Sequence, residues 1–182
     1  MSPAPPFLTG ERVALRPLVE ADVDGPYLGW FNDAEVCRYN SHHVYPYTRP
    51  EAVAWVRALP ERRDTLVLAI TLPALGDRHV GNLSLDAIHP VNRSAELSLV
   101  LGDREVWGQG IGAEAARLLV GHAFQAMNLN RVACGTQAEN VAMRKLAERL
   151  GMREEGVRRL AAWNDGAFHD IVEYGIVASE WR

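Results

Sequence analysis

Apolar residues along this chain fall now at every second position and now at every third or fourth, and each change of rhythm marks the border of an element. "ERVALRPL" (11–18) alternates and predicts a first strand, stopped by Pro17. Over residues 20–31 apolar and aromatic side chains recur at helical intervals, and Asn32-Asp33 predicts a turn. Thr48 and Glu51, with Pro50 between them, carry the signature of a capping box that opens the helix "EAVAWVRAL". "TLVLAITL" (65–72) and "HVGNLSLDAI" (79–88) predict two strands joined by a loop containing Pro73, Gly76 and Asp77, and "SAELSLVL" (94–101) predicts a third. A helix follows over 110–127, with Ile111, Ala115, Leu118, Leu119, His122 and Ala123 on one face. "RVACGTQ" (131–137) predicts a strand, and residues 140–150 a helix ended by Gly151. "MREEGVRRLAAW" and "FHDIVEYGIVAS" predict two strands around an Asn-Asp-Gly turn, a hairpin signal.

The order is strand, two helices, three strands, helix, strand, helix, hairpin. The three central strands are too closely connected to be parallel, so the fold class is α/β (α+β), a mixed and mostly antiparallel sheet flanked by helices. No repeat or linker divides the 182 residues, which read as a short Pro-rich arm (1–10) and one domain (11–182). Hydrophobic content of 48% and charged content of 23% are those of a globular protein. A net charge of −4 without any Lys/Arg run speaks against a nucleic-acid partner. The longest apolar stretch, "LVLAITLPAL", is too short to span a bilayer and is broken by Pro73, so no membrane association is expected. The N-terminus lacks the basic and apolar regions of a signal peptide. Cys37 and Cys134 are expected as free thiols in a reducing cytoplasm, with a disulfide as the alternative. No spacing of His, Cys or acidic residues suits a metal.

The chemistry concentrates in "VWGQGIGAEAARLLV" (106–120). Gly108, Gly110 and Gly112 leave a loop whose backbone N–H groups can approach an anion, and the helix behind them favours negative charge. A Walker loop is excluded, because Ala113 and Glu114 stand where Lys and Ser/Thr are required. A dinucleotide fingerprint fits poorly, because the spacing is G-x-G-x-G and antiparallel strands precede it.

Strand "AELSLVLGDREV", loop "WGQGIGAEA" and the following helix resemble the acetyl-CoA pyrophosphate loop of the GNAT superfamily of N-acetyltransferases. Gly110 and Gly112 match the family's glycines, and Trp107 stands where Arg or Gln is usual. Tryptophan there is common in the branch of ribosomal-protein N-terminal and amino-sugar acetyltransferases. "GWFNDAEVCRY", "NVAMRKLAERLGM" and "EEGVRRLAAWNDGAFHDIVEYGI" resemble further segments of that branch, so the resemblance runs over residues 11–182.

The resemblance implies an enzyme, an acyltransferase in which a primary amine attacks the thioester of acetyl-CoA directly within a ternary complex, without a metal. It implies pyrophosphate binding by Trp107, Gly108, Gln109, Gly110, Ile111, Gly112 and Ala113, and pantetheine contacts at the backbone of Val100 and Leu101. Asn140 is implied at the pantetheine or the amine, or as a helix N-cap, and the two are compatible. Lys145 is a candidate for the ribose phosphate, or an ordinary exposed lysine. Glu96 is the candidate general base, its alternative being a solvated strand residue or a partner of Arg93. Where the family often supplies a general acid, this chain has Met143 and Ala147, so that role is unassigned; Tyr174 is a substitute without a geometric reason. Trp30, Asn32 and Arg159, with Tyr39, His43, Tyr45 and Tyr47 of the aromatic and polar segment 38–47, are candidates for the acceptor site.

The expected acceptor is a small-molecule amine such as an amino sugar, and the alternative is a protein amino terminus. A binding protein that holds acyl-CoA without turnover is the reading of another class. A homodimer is a further expectation, by analogy.

Overall fold

The alternating segments pair into one eight-stranded sheet in the computed structural model, which describes residues 4–182. The strands are β1 (Leu8–Thr9), β2 (Ala14–Pro17), β3 (Leu66–Leu72), β4 (Arg78–His89), β5 (Ser94–Leu101), β6 (Arg131–Gln137), β7 (Arg153–Asn164) and β8 (Ala167–Val177). Their order in the sheet is β1-β2-β3-β4-β5-β6-β8-β7, and only β5 and β6 run parallel. This is the mixed, mostly antiparallel sheet that the sequence predicts. Residues 1–3 of the predicted arm lie outside the described residues, and the end of that arm adds the short edge strand β1.

Helices α1 (Glu20–Val23), α2 (Tyr27–Trp30) and α3 (Arg49–Ala58) cover one face, and α4 (Ile111–Gln125) and α5 (Val141–Arg149) cover the other. The predicted single helix over 20–31 is in fact two, because Gly25-Pro26 interrupts it between α1 and α2. The capping box stands as predicted, with the Thr48 amide donating to Glu51 at 2.9 Å. Helix α4 buries Ile111, Gly112, Ala115, Ala116, Leu119, Val120 and Ala123 against the sheet, its small residues letting the axis approach closely. At the hairpin, Asp165 and Gly166 both adopt positive φ (48° and 77°), the geometry of a two-residue turn matched to strand twist. Both cysteines are free and buried, and burial pushes the Cys134 thiol up to about 12. No helix among the described residues is long and apolar enough to cross a membrane.

A buried ion pair ties β2 to α1. Arg16 donates to both carboxylate oxygens of Asp22, at 2.6 and 2.8 Å, and the two side chains are only 7% and 8% exposed. Burial pushes the Asp22 carboxyl up, but hydrogen bonds from Arg16 and the Val19 amide outweigh it and hold it below its ordinary value. Removing one member strands the other charge in a dry site. Asp22→Ala is therefore expected to lower unfolding free energy by about 3–5 kcal/mol in urea denaturation.

Candidate active site

Strands β5 and β6 share only three paired positions, Ser94 with Arg131, Ala95 with Val132 and Glu96 with Ala133. Beyond them β6 continues only against β8, while β5 continues only against β4, so a wedge opens between the two central strands. The register decides which backbone groups face it. The Gly102 amide donates to Val80, which makes Leu101 and Gly81 a non-hydrogen-bonded pair. Alternation then ties the backbone of Val100 to Asn82 and that of Ser98 to Ser84; the Leu97 amide is used in the last pairing with β6, and the Leu97 carbonyl and both backbone groups of Leu99 and Leu101 turn toward the wedge. The sequence reading put backbone contacts at Val100 and Leu101. The groups without a strand partner are the Leu97 carbonyl and both backbone groups of Leu99 and Leu101, and the side chain of Val100 lines a pocket on the α1–α3 face instead.

The glycine loop closes the open end of this wedge. Gly108 and Gly110 have φ of 72° and 82°, which a side chain would strain, and Gly110 is the N-cap of α4 without any side-chain cap. The amides of the first turn therefore have no partner within the helix. Gly112 acts differently. A Cβ there would lie 3.0 Å from Leu99 and 3.1 Å from Leu101, so its absence seats the helix start on β5. Leu146 of α5 stands 3.6 Å from the same point, bracketing the helix end from the other side. Trp107 donates its indole N–H to the Leu101 carbonyl at 2.8 Å, tying the loop to the strand.

Arg12, which the sequence reading did not single out, reaches this loop from the β1–β2 turn. It donates to the Gln109 carbonyl at 2.9 Å and to Glu114 at 2.8 Å, and its Nη2 comes within 3.4 Å of a Cβ built on Gly110. Burial pushes the Glu114 carboxyl up, but hydrogen bonds from the Arg12 and Val13 amides and the Arg12 guanidinium hold it below its ordinary value. Arg12 thus offsets the one carboxylate in the first turn of α4.

On the α1–α3 face of the same strands lies a pocket of about 400 Å³, walled by Tyr27, Phe31, His42, Tyr47 and Trp55 and floored by Asn82, Ser84, Asp86, Ser98 and Val100. The Asp86 carboxylate accepts hydroxyl bonds from Thr65 and Ser84, each 2.6 Å long. Glu96 pairs with Asp86 across β4–β5 and occupies the last position before the wedge. Two carboxylates thus stand side by side where the strands part. Burial pushes the Tyr27 hydroxyl well above its ordinary value, so it remains a neutral donor beside Tyr47.

The other predicted residues are placed as follows. Asn140 caps α5, accepting from the Met143 amide at 3.2 Å, and Lys145 is exposed on the same helix. Tyr174 is buried under α5 with its hydroxyl accepting from Arg144 at 3.0 Å, outside the pocket. Trp30 packs into the core against Gly102 and His79. Asn32 bonds the backbone of Leu28 and Tyr47, and so sets the position of Tyr47. Tyr39, His43 and Tyr45 are exposed and do not line the pocket; the same segment contributes His42 and Tyr47. Arg159 is exposed on the edge strand β7. The segment 38–47 was legible as an acceptor loop, but which of its rings turn inward depends on a short helical turn at His42–Val44 that carries no clear sequence signal. No cluster among the described residues could hold a metal.

Known proteins share this fold. The family model "Acetyltransferase (GNAT) domain" matches residues 12–153, and the chain belongs to that family of acetyltransferases. "Putative ribosomal N-acetyltransferase YdaF" of Bacillus subtilis (strain 168) is 38% identical over 102 residues, which are 56% of this chain and 55% of that protein. The match thus spans little more than half the length of that curated relative. A solved structure described as a "putative acetyltransferase" from T. thermophilus is 31% identical, covering 100% of this chain and 94% of that one with a TM-score of 0.77. RimL, a ribosomal L7/L12 alpha-N-protein acetyltransferase solved with coenzyme A, shares the fold at a TM-score of 0.83 and 22% identity, over 92% of this chain and 95% of that one.

If the left-handed loop forms the anion site, Gly110→Val weakens coenzyme A binding by about tenfold or more in calorimetric titration. Gly166→Val, equally left-handed but at the hairpin tip, leaves binding unchanged while straining the backbone to a similar degree.

Proposed function

We propose that the protein transfers the acetyl group of acetyl-CoA to a primary amine bound in the aromatic pocket. The observation that carries this reading is that β5 borders both sites: its backbone edge faces the wedge, and the side chains of Ser98 and Val100 floor the pocket. A thioester lying along that edge and an amine in the pocket meet at the end of the wedge, beside Glu96. The coenzyme A in RimL supports the choice of donor.

The first-turn amides of α4, with Arg12 beside them, bind the pyrophosphate through the helix N-terminus. The Leu97 carbonyl and the backbone groups of Leu99 and Leu101 hydrogen-bond the pantetheine in the manner of a strand. Asp86 holds the incoming ammonium, and Glu96, directly or through water, removes its proton. The amine nitrogen then bonds to the thioester carbon and becomes positively charged, the carbon–sulfur bond breaks with its electron pair going to sulfur, and the nitrogen gives its second proton to solvent. An inward-facing amide of β5 stabilises the oxyanion that forms between these steps. Met143 and Ala147 offer no proton, and Asn140 is engaged as a cap. The thiolate therefore departs as an anion and is protonated by solvent, which a thiol of pKa about 8.5 allows.

The pocket's small volume supports a small-molecule amine, an amino sugar among them. The likeness to YdaF supports a protein amino terminus as the second reading, with only the terminal residue entering the pocket. Location in the cytoplasm accords with both.

Glu96→Gln is expected to lower kcat for thiol release by about a hundredfold or more while leaving acetyl-CoA affinity unchanged. Acetyl-CoA that stabilises the wild-type protein against heat, yet yields no thiol with any amine, would instead mark a binding protein.

A further inference from the structure

Asn82 stands on the pocket floor with its amide orientation set from behind. His79 Nε2 lies 3.0 Å from the Gly81 carbonyl and 3.0 Å from Asn82 Oδ1. A carbonyl oxygen only accepts, so Nε2 carries a hydrogen whether the ring is neutral or charged. The same N–H faces Asn82, which must present its oxygen to it and turn Nδ2 away. Burial pushes the His79 pKa down, against the opposing pull of the Asp22 carboxylate 3.5 Å from Nδ1.

The local irregularity of β4 makes this contact possible. Ile70 pairs with Gly81 but Thr71 pairs with His79, so Val80 is an extra residue in the strand. Without it, His79 and Asn82 would point to opposite faces; the bulge brings both to the α1–α3 side. Asn82 Nδ2 then has no hydrogen-bond partner among the described residues, although Asn82 is only 6% exposed. A buried donor left bare is costly, about 1–3 kcal/mol. Arg16 Nε and His79 Nδ1 are also bare, but neither residue lines the pocket.

We propose that Asn82 Nδ2 is a specificity-determining donor that reads a neutral oxygen, a hydroxyl or a carbonyl, on the acceptor whose amine is held at Asp86 and Glu96. This rests on the amine-acetylation reading above. Asn82, Ser84 and Asp86 are alternate residues of β4 that line one pocket, and Asp86 accepts from Ser84 between them, so one short molecule can span carboxylate and amide. The selected class is amino alcohols, amino sugars and α-amino amides. A polyamine is rejected, because its second ammonium sets N–H donors against an N–H donor. A site built to bond a substrate oxygen discriminates strongly against analogues that lack it.

The test is thiol release from acetyl-CoA by the full chain, using amino alcohols and amino amides against diaminoalkanes of matched length. Wild type is expected to favour the oxygen-bearing amines by about tenfold or more in kcat/KM. Asn82→Asp keeps an oxygen for His79 and replaces the donor with an acceptor, so it should shift the preference toward diamines by a similar factor with KM for acetyl-CoA unchanged. Asn82→Ser serves where the aspartate variant does not fold, and should lose most of the discrimination. Equal use of both amine classes by the wild type overturns the proposal. So does an equal fall in kcat for every acceptor in the variants, which would assign Asn82 to the thioester or to folding. Thiol release that depends on an amine but not on its class leaves the acetyltransferase reading standing alone, whereas no release with any amine overturns both.

Discussion

Strand β5 has a partner on both edges for only three residues, and the rest of the molecule depends on that interruption. Backbone polar groups inside a fold are almost always paired, because leaving one bare costs about as much as a lost hydrogen bond. Here the outward groups from the Leu97 carbonyl to Leu101 have no strand to meet. One of them, the Leu101 carbonyl, is taken by the Trp107 indole, and the others border a wedge that admits a ligand able to pair as a strand does. What holds the wedge open is the surrounding structure. Seven paired positions draw β6 toward β8, and α4 and α5 pack above the parting strands through Gly112, Leu99, Leu101 and Leu146.

The same strand pair serves the opposite face. Side chains alternate, so the residues whose backbones are bound to β4 are those whose side chains floor the acceptor pocket, and the residues that bury leucine side chains under α4 are those with free backbone groups. The wedge and the pocket are thereby built from alternate residues of one strand, and their spacing is set by the pleat. The buried Arg16–Asp22 pair, with His79 stacked on Tyr27 and edge-on to Trp30, supports the pocket floor from below and confines Asn82 to one orientation.

Much of this was legible in the sequence because it rests on local chemistry. Alternation located the strands of 66–101, the hairpin turn residues located β7 and β8, and Gly108, Gly110 and Gly112 located the glycine loop that opens α4. What sequence did not disclose depends on register or on distant contacts. A period-two reading of β4 places His79 and Asn82 on opposite faces, and only the bulge at Val80 corrects it. Alternation within β5 was visible, but which half of its backbone stays free follows from pairing with β4. Arg12 meets Gln109 across nearly a hundred residues, a contact no local pattern announces. The aromatic segment 38–47 pointed to a cleft wall, yet it is His42 and Tyr47, not His43, that line the pocket.

Backbone amide exchange with and without saturating coenzyme A tests the central claim most directly. If the ligand completes the interrupted sheet, exchange slows at Leu99 and at residues 110–113, while Val100, already bonded to Asn82, is unaffected. An unchanged rate at Leu99 under saturation would contradict the account.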